Sequence, residues 1–143
     1  MSKDFPSIID KDQPIRAFVT KKLIGTDITD TVQDAAQKMT EFNISSIVIM
    51  DNEKVVGFFT ESDLKRKIVA KGKSPDTPVK DIMVGNLITV DISATIRDAM
   101  KTMMDNGIKH LLVREKGKII GILSFTDFLT LERQKLETFI ARE

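Results

Sequence analysis

The sequence has no cysteine, no tryptophan, no tyrosine and a single histidine. The lack of cysteine excludes disulfides, thiolate catalysis and cysteine-ligated metals. His110 has no evident acid/base partner, and there is no Walker motif or clustered metal-ligand spacing, so no catalytic or metal-ligating residue is assigned and an enzyme is not expected. Neither sign of charge dominates: 22 Lys and Arg are interspersed with 21 Asp and Glu, for a formal net charge of +1. That balance argues against nucleic acid and against a membrane surface as partners, and without Trp and Tyr there is little to stack on bases. No apolar run approaches the roughly 20 residues of a membrane span, and Met1-Ser2-Lys3-Asp4 lacks the apolar core of a signal peptide. The expected location is a reduced cytoplasm.

What remains is the composition of a soluble globular protein. The 143 residues are 41% hydrophobic and 30% charged, enough for one domain or for two small units sharing a core. Gly57-Phe58-Phe59-Thr60-Glu61-Ser62-Asp63 reappears later as Gly121-Ile122-Leu123-Ser124-Phe125-Thr126-Asp127. Glycine, hydroxyl and carboxylate keep their spacing. Laying Ile15–Leu64 on Val79–Phe128 without a gap gives 12 identities in 50 positions, against about 3 expected by chance. The chain is a duplication.

Each copy reads as strand, helix, strand, strand, helix. Leu23-Ile24 and Leu87-Ile88-Thr89-Val90 are expected to be extended. Thr31 and Thr95 cap helices, with Asp34 and Asp98 three residues on, near the positive end of the dipole. Val32, Ala35, Ala36 and Met39 form the apolar face of the first helix, and Ile96, Ala99, Met100, Met103 and Met104 that of the second. Asn43 and Gly107 stand where a left-handed C-cap belongs. Buried strands are expected at Ile47–Ile49 and Leu111–Val113, returning through tight turns as Val55–Phe59 and Ile119–Leu123. Helices follow at about 61–71 and from 125 onward, the latter running towards Glu143 with Leu129, Leu136, Phe139 and Ile140 as an apolar stripe. A short turn at Pro6 is expected near Phe5, Ile8 and Ile9. The organisation is an N-terminal segment at 1–13, a first repeat at 14–71, a linker at 72–78, a second repeat at 79–131 and a helical extension at 132–143. The fold class is α/β (α+β), two β-α-β-β-α repeats packed sheet to sheet about a pseudo-twofold axis with two equivalent clefts.

At each strand-to-helix junction the hydroxyl and the carboxylate have two readings. They cap the helix, or they hold a ligand, the hydroxyl facing a phosphate and the carboxylate accepting from sugar hydroxyls. The duplicated G-x-x-[ST]-x-x-D ending, the helices after Thr31 and Thr95, and the Ile-x-x-apolar strand lead-ins at Ile44 and Ile108 resemble a tandem pair of cystathionine-β-synthase (CBS) domains, the Bateman module. The resemblance runs from about Ile15 to about Leu131 and is to a stand-alone CBS-pair protein.

The resemblance implies a regulatory module, not an enzyme, whose clefts bind adenosine-containing ligands. These are AMP, ADP or ATP, and in some members S-adenosylmethionine, NAD or a cyclic dinucleotide. The ligand would pass a conformational signal to an effector protein. A disc-like homodimer is implied as well. The better site carries Asp127 on the ribose, with Ser124, Lys109 and His110 towards the phosphate, Thr20, Leu23 and Ile24 flanking the adenine, and Ile44, Ser45 and Ser46 beside them. The second site carries Asp63, Thr60, Val84, Leu87, Ile88 and Ile108. Ser45 and Ser46 replace Lys109 and His110 in the first repeat and bring no charge, which ranks the Asp127 site above the Asp63 site. Lys65-Arg66-Lys67 either helps the Asp63 side or is a solvated helix face. The competing reading is a structural dimerisation module with vestigial clefts.

Overall fold

A computed structural model describes residues 10–19 and 23–141. The turn expected at Pro6, Thr20, the side chain of Phe139 and the run to Glu143 lie outside the described residues. Two three-stranded sheets and their helices make a mixed α+β fold, in two compact units. Among the described residues, one unit takes 23–87, and the other takes 10–19 together with 88–141.

In the first unit β1 (Gly25–Asp27) runs parallel to β2 (Ser46–Asp51), which pairs antiparallel with β3 (Lys54–Thr60). In the second, β4 (Thr89–Asp91), β5 (His110–Glu115) and β6 (Lys118–Ser124) repeat the pattern. Strands β1 and β4 begin two residues later than expected. Leu23-Ile24 and Leu87-Ile88 are lead-ins, although the carbonyls of Ile24 and Ile88 still accept from the N–H groups of Val48 and Leu112. Both hairpins carry the same irregularity: Met50 pairs with Val55 and Ile49 with Gly57, while Arg114 pairs with Ile119 and Val113 with Gly121. Val56 and Ile120 are therefore the extra residues of matching bulges.

Helix α1 (Val32–Phe42) and helix α3 (Ile96–Asn106) begin in full capping boxes, Thr31 with Asp34 and Thr95 with Asp98. They end on left-handed Asn43 and Gly107. Val32, Ala35 and Met39 are buried in α1, and Ile96, Ala99 and Met103 in α3. Met104 departs from the expected apolar face and is 75% exposed. Its register carries it past the buried stripe, because i, i+4 and i+8 from Ile96 drift around a 3.6-residue helix. The expected helix at 61–71 is a short turn, α2 (Glu61–Asp63), continued as a π-helix over Leu64–Val69. Its counterpart, α4 (Phe125–Ala141), is regular.

The remaining N–H groups at the starts of α1 and α3 are satisfied by segments that precede the other repeat. Val32 and Gln33 donate to the carbonyls of Thr77 and Pro75. Ile96 and Arg97 donate likewise to Gln13 and Lys11, and Arg97 pairs with Asp12 at 3.2 Å. The 3-10 turns that follow, Ile15–Phe18 and Val79–Asp81, drive Ile15 and Val79 into the cores, each 0% exposed. Phe18 meets Phe128 edge to face with ring centres 6.2 Å apart. Each half is thus closed by the stretch that leads into the other half.

Hydrogen bonds at the turns set one acid-sensitive property. The Thr29 hydroxyl on Asp27, the Thr31 N–H on Asp34 and the Ser93 hydroxyl on Asp91 hold these carboxyls below their ordinary range. Groups that titrate lower when folded contribute above the unfolded value and lose that contribution as pH falls through the folded one. Urea midpoints measured from pH 6 to pH 2 are expected to fall below about pH 4, and Asp27→Asn with Asp91→Asn is expected to flatten part of that drop. A profile unchanged by the two substitutions would refute the assignment.

Candidate functional site

The repeated motif lies where the third strand of each sheet meets the following helix. In the first unit Ser46 pairs directly with Thr60 across the ladder, and the Glu61 N–H donates to the carbonyl of Ser45 at 3.0 Å. In the second His110 pairs with Ser124, and the Phe125 N–H donates to the carbonyl of Lys109 at 2.8 Å. Each unit therefore gathers a hydroxyl, a carboxylate, the first residue of the neighbouring strand and the backbone carbonyl just before it. Ile44, Ser45 and Ser46 stand in the unit of Asp63, and Ile108, Lys109 and His110 in the unit of Asp127.

Both carboxylates cap, so the structural role is real. Asp63 Oδ2 accepts from the Thr60 N–H at 3.0 Å, and the Asp63 N–H returns to the Thr60 hydroxyl. Asp127 Oδ2 accepts from the Ser124 N–H at 2.9 Å, and the Asp127 N–H donates to Ser124 Oγ at 3.2 Å. The difference lies in what else each carboxylate holds. Asp63, 5% exposed, also takes the Thr60 hydroxyl, the Arg66 guanidinium at 3.2 Å and the Lys67 ammonium at 3.3 Å. Asp127 is only partly buried, and among the described residues no Lys or Arg pairs with it. A carboxylate offers about four acceptor positions. Those of Asp63 are filled. Asp127 keeps open capacity on the turn whose Phe125 N–H meets the Lys109 carbonyl and whose Ser124 pairs with His110.

The lead-in to the second repeat lies along β3 of the first unit. The Val84 N–H donates to the Phe58 carbonyl at 2.8 Å, and the Phe58 N–H donates back at 3.2 Å. Gly57 makes this approach possible, since a β-carbon there would stand 2.5 Å from Met83 Sδ. Val84 is thereby held against the strand that ends at Thr60, and Leu87 belongs to the same unit. Leu23 and Ile24 belong to this same unit, and Ile88 to the other. Sequence reasoning left the role of Lys65-Arg66-Lys67 open. Arg66 and Lys67 turn back onto Asp63, and Lys67 also donates to the Ile82 carbonyl at 3.1 Å. Among the described residues no group of three or more His, Asp or Glu is placed to hold a metal. No described helix is long and apolar enough to cross a membrane.

The family model for the CBS domain matches residues 15–70 and 79–133. The chain belongs to the CBS-domain family. CBS-pair proteins are regulatory ligand-binding modules, generally non-catalytic. The uncharacterized protein MK0525 of Methanopyrus kandleri is 40% identical over 107 residues, 73% of this chain and 55% of its own length. The chain thus spans little more than half of that relative. A crystal structure of an uncharacterized conserved protein from Pyrococcus horikoshii superposes with a TM-score of 0.82 at 40% identity, over 87% of this chain and 96% of that one. The CBS domain protein PAE2072 from Pyrobaculum aerophilum, solved in complex with AMP, superposes with a TM-score of 0.72 at 23% identity, over 80% of this chain and 88% of that one.

Proposed function

We propose that this CBS pair is a regulatory sensor of an adenosine-containing nucleotide of the AMP, ADP or ATP type, read first at the Asp127 junction. The observation that carries the reading is the unfilled acceptor capacity of the Asp127 carboxylate, held in place by its capping box with Ser124. A partly buried carboxylate with free lone pairs suits a vicinal diol, and the exposed Lys109, whose carbonyl meets the same turn, suits a phosphate. The AMP bound to PAE2072 supports the ligand class. S-adenosylmethionine, NAD and cyclic dinucleotides share the adenosine diol and are outcomes of the same test. The nucleotide acts by binding two conformations unequally, which an effector protein then distinguishes, and catalysis has no part in it. The exposed Leu129, Leu136 and Ile140 of α4 support self-association as a homodimer.

Calorimetric titration of the nucleotide-free protein with AMP, ADP, ATP and S-adenosylmethionine tests this reading. Asp127→Ala is expected to weaken binding roughly ten- to a hundredfold, the range for losing a charged hydrogen-bond partner. Absence of binding by every adenosine ligand would overturn the sensor and leave the assembly module.

A further inference from the structure

The two junctions differ in a way the repeat alone does not require. At the offset that relates the copies, Arg66 and Lys67 correspond to Thr130 and Leu131, so the pair of cations belongs to the first copy only. They sit on the π-helix, a geometry α4 does not share and one often found at functional positions. Arg66 Nη2 and Lys67 Nζ both take Asp63 Oδ1, while the Thr60 N–H and hydroxyl take Oδ2. The carboxylate is 7% exposed, whereas Arg66 is 63% and Lys67 35% exposed. The cations face solvent and the acceptor lies beneath them.

We infer that the Asp63 junction is selective for adenosine ligands bearing several phosphates, with Arg66 and Lys67 as the residues that determine the selection. The inference rests on the sensor reading above. With all four acceptor positions taken, a ribose diol that donates to both carboxylate oxygens displaces the Thr60 hydroxyl from Oδ2 and a cation from Oδ1. A displaced guanidinium or ammonium that finds no new anion costs free energy, because the charge-assisted bond is lost and nothing replaces it. A polyphosphate supplies that anion within the same ligand. A neutral nucleoside does not, and a monophosphate carries less charge than a polyphosphate to meet the displaced cation together with the one left on Oδ1. Arg66 is also held at the mouth of the junction by its Nε, which donates to Ser62 Oγ at 3.2 Å.

The test uses the full chain carrying Asp127→Ala, so that only the Asp63 junction reports, titrated with adenosine, AMP and ATP. ATP is expected to bind about tenfold or more tightly than adenosine. Arg66→Gln and Lys67→Gln, both at solvent-facing side chains, are expected to bring that ratio to within about threefold by weakening ATP and strengthening adenosine. An affinity for ATP no greater than that for AMP or for adenosine, or a ratio that both substitutions leave unchanged, overturns the inference. If the unsubstituted chain binds nucleotide and the Asp127→Ala chain does not, the Asp63 junction is a cap only. The inference then falls while the sensor reading stands. If the unsubstituted chain binds no adenosine ligand, both fall together.

Discussion

A chain lacking residues 1–19 is expected to lose protection first in β4–β6, although it retains every residue of those strands. Ile15 is fully buried in that core, Val19 is 6% exposed, and Phe18 packs against it. Loss of Ile15 alone corresponds to about 2–5 kcal/mol for a large-to-small change at a site that cannot collapse. With Val19, Phe18 and the backbone bonds to Ala94, Ile96 and Arg97 also gone, the total approaches the whole stability of an ordinary domain, about 5–15 kcal/mol. Hydrogen exchange followed residue by residue separates the possibilities. Native protection of the Leu111–Val113 amides in the truncated chain would show that the N-terminal stretch is an ornament, not part of the core. Ile15→Ala is the milder version, and its effect is expected in the same strands.

Phe59→Ala is expected to cost about 3–5 kcal/mol, the range for an aromatic removed from a sealed core. Phe59 is 0% exposed and packs in the cluster that includes Ile47, Ile49, Met39 and Ile68. Because it immediately precedes Thr60, the vacated volume also loosens the capping hydroxyl of the Asp63 junction. Phe42, 45% exposed at the end of α1, provides the control. Phe42→Ala is expected to move the urea midpoint little, within about 0.5 kcal/mol. Equal losses for the two substitutions would contradict the burial assignment.

Much of this was legible in the residues because it is local. Thr31, Asp34 and Asn43 specify where α1 starts and stops through bonds a few residues long, and Thr95, Asp98 and Gly107 repeat them. The Thr60–Asp63 and Ser124–Asp127 pairs were legible for the same reason. The π-helix was not, because Leu64 and Ile68 fit the apolar spacing of an α-helix as well; what distinguishes it is the Lys65 carbonyl accepting from the Ala70 N–H. Nor did spacing reveal that Arg66 and Lys67 fill Asp63, since a basic run on a helix looks the same when it is solvated. The crossed closure of the two halves depends on contacts about 40 to 80 residues apart, such as Val32 to Thr77 and Ile15 to Ala94. A signal for it exists: Asp12 and Pro14 recur as Asp76 and Pro78 at the same offset, so the duplicated unit begins before Ile15.

That crossed closure also orders events in time. During synthesis, residues 23–87 emerge as one continuous stretch and possess everything their core needs, including Val79. Residues 10–19 emerge earlier, yet Leu111, Leu123 and Phe128, the side chains they are to meet, leave the ribosome about a hundred residues later. In the interval Ile15, Phe18 and Val19 are exposed to water and to other nascent chains, and a long loop must close before they are covered. Residues 10–19 are made before residues 23–87 yet placed after them, so a vulnerable period in the folding of this chain falls before β6 is complete.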